Sequence, residues 1–208
     1  MAKASGGTRI KGDHGFQIGD DNYKGRVSSV ESLKSIKNPA VYNSAKDAIA
    51  RYHSVLGVRQ RTVKLADLPD GILGVHVTKD GESAGVFLNK SVFQPDSVTT
   101  RGIADTVKKA YDTGFLTRTN KPVAHAITHE LAHATWNAHM TTAKAKAAEP
   151  DIKKLYKQWA TDKNRKGYGK YASANVSEWF AETATKAVHG SNDMYAAAIK
   201  RIIKKHNL

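Results

Sequence analysis

With 208 residues, 40% of them apolar, the chain is long enough for one domain with a buried core, and a net charge of +14 makes it strongly basic. It has no cysteine, which excludes disulfides and thiolate ligands, so a metal could be held only by His, Asp or Glu. No apolar run approaches the roughly 18 residues that a membrane span needs, and Met1–Gly7 has no apolar segment behind its lysine. The expectation is a soluble protein without a signal peptide, cytoplasmic or virion-associated.

Residues 1–27 are rich in Gly, Asp, Lys and Ser and carry little periodic apolar content, so they are expected to form a flexible tail ahead of a single domain over 28–208. A helix is predicted from Pro39 to Leu56, with Asn38 as its cap, proline at its first position and Gly57 closing it. Thr62–Leu65 alternates like a strand, and Leu68-Pro69-Asp70-Gly71 is a turn. Residues 72–78 and 84–89 read as the two arms of a hairpin. A helix over about 100–112 follows, then a loop through Pro122, and the rest of the chain reads helical: about 123–139, 142–148, 151–161, 176–188 and 192–205. The fold class is therefore α+β, with a small, mostly antiparallel sheet and a largely helical C-terminal half.

The most informative segment is His129-Glu130-Leu131-Ala132-His133. Residues four apart on a helix stack one turn above each other, so His129 and His133 present two imidazoles to one point. Glu130 stands beside that face, where a carboxylate can take a proton from water acidified by a metal ion. The bland alternative is an amphipathic helix that happens to carry two histidines. His125 extends the same face by one turn and is expected to be exposed at the helix start. His76 is expected to be structural, and His14, His189 and His206 to lie on the surface.

A catalytic zinc takes three protein ligands and leaves one position open. Two residues compete for the third place. His139 lies ten residues after His129, the interval of an elongated H-E-x-x-H-x-x-G-x-x-H pattern, but Trp136 stands where that pattern has its turning glycine. If the helix simply continues, His139 is rotated about 240° from His133. Glu178 and Glu182 are the other candidates, stacked four apart on a later helix that Asn175 can cap. Two carboxylates beside Trp179 and Phe180 would be costly to bury without a cation between them. One would bind the ion and the other would orient a histidine.

Tyr171, followed after six residues by Glu178-Trp179-Phe180-Ala181-Glu182, resembles the tyrosine-plus-glutamate-helix signature of lethal-factor-like zinc metalloproteases of the gluzincin group, which occur in bacterial toxins and bacteriophage-encoded proteins. The resemblance spans roughly residues 85–190. It departs from the pattern at Trp179, where Phe is usual, and at Ala132 and Ala172, where Gly is common. It implies that His129, His133 and Glu178 would bind Zn2+, that Glu130 would be the general base, that Tyr171 would stabilise the transition state, and that Glu182 would support a ligand. The activity implied is metalloendopeptidase hydrolysis of a protein or peptide. The strand Gly85-Val86-Phe87-Leu88-Asn89 is the expected edge along which an extended substrate would lie, with Leu88–Ser91 as a substrate-facing lip.

Two other classes compete: a phage or mobile-element structural protein with a non-catalytic zinc site, and a basic nucleic-acid-associated protein. The charge excess is concentrated in residues 151–170, with seven Lys or Arg against two Asp, and in the final helix, which together could meet an anionic partner. Solvated helix faces are the simpler account of that excess.

Overall fold

A computed structural model describes residues 27–79, 82–94, 102–138 and 143–208. The expected tail, all but its last residue, and His14 and His139 lie outside the described residues.

Strand β1 (Ser28–Ser32) leads through a 3-10 turn at Leu33–Ser35 into helix α1 (Pro39–Leu56). The predicted start and stop of α1 hold: the Asn38 side chain accepts from the N–H groups of Ala40 and Val41, and Gly57 ends the helix at φ 71°, a left-handed conformation that suits glycine. Ala45, Ala48, Tyr52 and Leu56 form its buried stripe. The buried Tyr52 hydroxyl reaches Thr135 Oγ1 at 2.7 Å, which ties α1 to the motif helix.

Three further strands complete the sheet: β2 (Val63–Asp67), β3 (Gly74–Lys79) and β4 (Glu82–Asn89). The order is β1-β2-β4-β3, antiparallel at β1–β2 and β3–β4 but parallel at β2–β4, so the sheet is mixed rather than mostly antiparallel. Burial explains the position of β4. Val86 and Leu88 are fully buried in the main core, while Phe87 packs on the other face against the smaller cluster of Ala66, Leu68, Ile72 and Val75. A strand with apolar residues on both faces belongs inside a sheet.

This corrects the substrate expectation. Gly85–Asn89 is not an edge: β4 is bonded on both sides, and the outer strand of the hairpin is β3. Asn89 is not a lip residue either. Its amide donates to the carbonyls of Leu68, Pro69 and Ile72, and its Oδ1 accepts from the Ser91 backbone and hydroxyl. It locks the turn before β3 and caps the short helix α2 (Lys90–Phe93), while Lys90 pairs with Glu31.

The helical remainder comprises α3 (Ile103–Asp112), α4 (Pro122–Ala138), α5 (Ala143–Lys146), α6 (Ala148–Thr161), a 3-10 turn at Lys170–Ser173, α7 (Val176–Val188) and α8 (Met194–His206). Helix α4 is the centre of the fold, packed against α1, α3, α7 and the β3–β4 hairpin. Among the described residues no helix is long and apolar enough to cross a membrane.

Replacing Asn89 by alanine strands the Ile72 carbonyl in the core and frees the β2–β3 turn. Urea denaturation of Asn89→Ala should show a loss of roughly 1–3 kcal/mol; a midpoint equal to that of the parent protein would remove the clamp assignment.

Candidate metal centre

Helices α4 and α7 build the site between them. Alanines at positions 132, 181 and 184 are fully buried, and small side chains there let the two helix backbones approach. Trp179 and Phe180 are fully buried as well, and the Phe180 ring lies 5.5 Å from that of Trp136. The start of α7 is fixed by Asn175, whose side chain accepts from the Glu178 N–H at 2.9 Å. The phase of α7 then turns Glu178 and Glu182 inward, and they are 2% and 0% exposed.

The i, i+4 argument for α4 is realised. His129 Nε2 and His133 Nε2 lie 3.0 Å apart, and each is 3.2 Å from Glu178 Oε2. A cation held tetrahedrally at about 2.0–2.1 Å keeps neighbouring ligand atoms roughly 3.3 Å apart, so these three atoms stand at the spacing of a metal ligand set. The outer ring nitrogens are occupied from α7: His129 Nδ1 faces Glu182 Oε1 at 3.0 Å, and His133 Nδ1 faces Ser177 Oγ at 3.2 Å. Where Nδ1 carries the proton, the Nε2 lone pair of each ring is directed to the common point. The competing ligand, His139, lies outside the described residues, and the three-atom set closes without it.

His125, expected to be exposed, is fully buried, with Nε2 3.3 Å from Glu182 Oε1. It completes a second group that could hold a metal ion: His125, His129 and Glu182. The rings of His125 and His129 are stacked at 12°, however, so their in-plane lone pairs run side by side, whereas His129 and His133 meet at 73°. The other oxygen of Glu182 accepts the Thr117 N–H at 3.0 Å. His129, His133 and Glu178 are therefore the better placed of the two groups that could hold a metal ion, with Glu182 beside the outer nitrogen of His129.

Electrostatics support one interlocked cluster. Burial opposes charge on His129, but the Glu178 and Glu182 carboxylates outweigh it and raise its pKa to about 9. Burial likewise works against charge on Glu182, yet His125 and His129 hold its carboxyl far below the usual range. Glu178 is lowered against the same penalty, chiefly by His133 and then His129.

Glu130 is 1% exposed and lies against β3. A Cβ at Gly74 would sit 2.8 Å from Glu130 Cγ, so glycine at that position makes room for the carboxylate. Tyr171 rests in the 3-10 turn, its ring 5.9 Å from that of His129. Burial, followed by the nearby Glu178, Glu130 and Glu182 carboxylates, pushes the phenol well above its ordinary value, so it stays a donor.

The position of Tyr171 comes from backbone pairing that periodicity does not reveal. The Lys170 and Tyr171 N–H groups donate to the carbonyls of Gly114 and Phe115, and the Gly169 N–H donates to Thr117 Oγ1. The chains pass so closely that a Cβ at Gly169 would meet Phe115 O at 2.3 Å.

Elsewhere, His76 is structural as expected, held between Ser83 and Asn137. Two surface expectations are corrected. His206 is buried and bonds Asp151, while His189 is half-buried, with burial and then His125 lowering its pKa to about 4. No family model, curated protein or solved structure matches the chain.

The purified protein should take up one divalent ion per chain, and His129→Ala, His133→Ala and Glu178→Ala should each lose it by elemental analysis. A Glu178→Ala protein that keeps full occupancy would show the third ligand to be another residue. Below pH about 9 the ion must displace the His129 proton. Apparent affinity should therefore climb with pH toward that value and level off above it, with proton release visible by calorimetry in buffers of different ionisation enthalpy.

Proposed function

We propose that this protein is a zinc-dependent endopeptidase of the gluzincin type. The observation that carries the reading is that His129, His133 and Glu178 converge on one point, with Glu130 next in sequence to His129 and the Tyr171 ring 5.9 Å from that of His129. Three ligands limited to imidazole and carboxylate suit catalytic zinc, which takes water as its fourth ligand. A purely structural site would have no need of the buried Glu130.

Zinc, when bound, acidifies a water molecule and polarises the scissile carbonyl. The chain supplies the rest. Glu130 accepts the proton of the attacking water and delivers it to the departing amine. The protonated Tyr171 phenol donates to the oxygen that gains negative charge at the tetrahedral stage. Glu182, itself fixed by His125 and the Thr117 N–H, holds the His129 ring in its ligating orientation. The strand that flanks Glu130 is β3, through Gly74, so an extended peptide would lie along the outer edge of β3 rather than along β4. The resemblance that suggests this class also suggests a bacteriophage or toxin setting.

Glu130→Gln should retain the metal and lose hydrolysis of an unfolded protein substrate, because the amide cannot accept the proton. Undiminished cleavage by that variant would remove the mechanism. Tyr171→Phe should keep both fold and metal while kcat falls by ~10²–10³.

A further inference from the structure

The largest feature that the proposed hydrolysis leaves unused is the charge of the C-terminal half. Residues 148–170 and 194–206 hold eleven Lys or Arg against three acids. Each acid is already engaged within the protein: Glu149 with Lys153, Asp151 with Lys205 and His206, and Asp162 with the Tyr195 hydroxyl and the Asn164 N–H.

Two of these contacts also fix the layout. Asp151, in the first turn of α6, meets Lys205 and His206 in the last turn of α8, while Asp162, just after α6, meets Tyr195 at the start of α8. The two helices therefore run antiparallel, side by side, each about 20 Å long. Ile152, Trp159, Ile199 and Ile203 are 0–1% exposed in the core, Leu155, Tyr156 and Ile202 are half-buried against it, and Met194 at the start of α8 is exposed. Lys154 and Lys157 on α6, and Arg201 and Lys204 on α8, remain exposed.

We propose that the α6–α8 face binds the phosphodiester backbone of nucleic acid, without reading its sequence. The face offers cations at helical spacing, and its one exposed large apolar residue, Met194, lies at the end of α8 remote from Lys204 in sequence, so it lacks the cluster of aromatic and apolar anchors that dominates protein–protein contacts. A membrane-surface helix needs an apolar face to sink among lipid headgroups, and on both helices the apolar stripe, Ile152 and Trp159 on α6 and Tyr195, Ile199 and Ile203 on α8, packs into the core. A polyphosphate needs neither, because displacement of its condensed counterions supplies the affinity. The face also lies away from the metal centre. Helix α7 packs against α4 on one side and against α6 and α8 elsewhere, while Glu178 and Glu182 look toward α4. Occupation of the basic face therefore leaves the metal centre open, and this inference is independent of the peptidase reading.

The test is fluorescence anisotropy of the full-length protein with a labelled DNA duplex of about 20 base pairs, titrated between 50 and 200 mM salt. Binding should weaken by about 10³ across that range, as expected when around six phosphates are neutralised. The variant Lys154→Gln/Lys157→Gln/Arg201→Gln/Lys204→Gln, checked by thermal melting for an intact fold, should bind at least tenfold more weakly and show a shallower salt slope. Metal occupancy in that variant should equal the parent's. The proposal is overturned by failure to bind duplex at 50 mM salt, by binding to phosphatidylserine vesicles alone, or by unchanged affinity and slope in the folded variant.

Discussion

The fold is organised around the burial of several ionisable side chains between α4 and α7. His125, His129, His133, Glu178 and Glu182 are each 0–2% exposed, and such groups are tolerable in a core only when each charge has a partner. The partners are supplied by the cluster itself: every carboxylate meets an imidazole, and Thr117 and Ser177 satisfy outlying atoms. Removing one member would leave the others charged and unmatched, so the cluster fixes the relative register of two helices distant in sequence. A divalent ion at the convergence of the two Nε2 atoms and Glu178 Oε2 would add the positive charge that two imidazoles facing one carboxylate leave room for.

The same economy holds outward from the ligands. Glu182 reaches His129 with one oxygen and the Thr117 backbone with the other, and Thr117 in turn anchors Gly169, which leads into the turn carrying Tyr171. A ligand-orienting group and the phenol are thus positioned by one short chain of hydrogen bonds. Close approach without side chains is what permits this at Gly169, and Gly74 does the equivalent for Glu130. If the proposed hydrolysis holds, rigid placement of this kind keeps its groups in geometry before a substrate binds.

The helices and the two stacked pairs, His129 on His133 and Glu178 on Glu182, were legible in the sequence because they depend on local spacing. The cap at Asn38, the stop at Gly57, the stacking of His129 on His133 and the stacking of Glu178 on Glu182 all follow from one helical period. What could not be read was non-local. The position of β4 depends on which strand receives it, and the pattern of residues 84–89 fits an edge or a centre equally until Phe87 is seen against its own cluster. His125 carried a usable signal, one turn before His129, but its burial depends on Glu182 arriving from another helix. Strand β1 and the pairing of residues 114–117 with 169–171 have no periodic signature at all.

Helix α7 separates the buried His/Glu cluster from the basic helices α6 and α8. Its inward face is committed to α4 through carboxylates, so the negative charge of this region is spent on histidines deep in the core. The acids of α6 and of the adjoining loop are spent in turn on fastening α6 to α8 and on the first turn of α6 itself. Among the described residues of α6 and α8, the ion-paired cations are Lys153 and Lys205, while Lys154, Lys157, Arg201 and Lys204 stay exposed. A basic exterior over an acid-using interior therefore follows from where the carboxylates go, more than from the sheer number of cations.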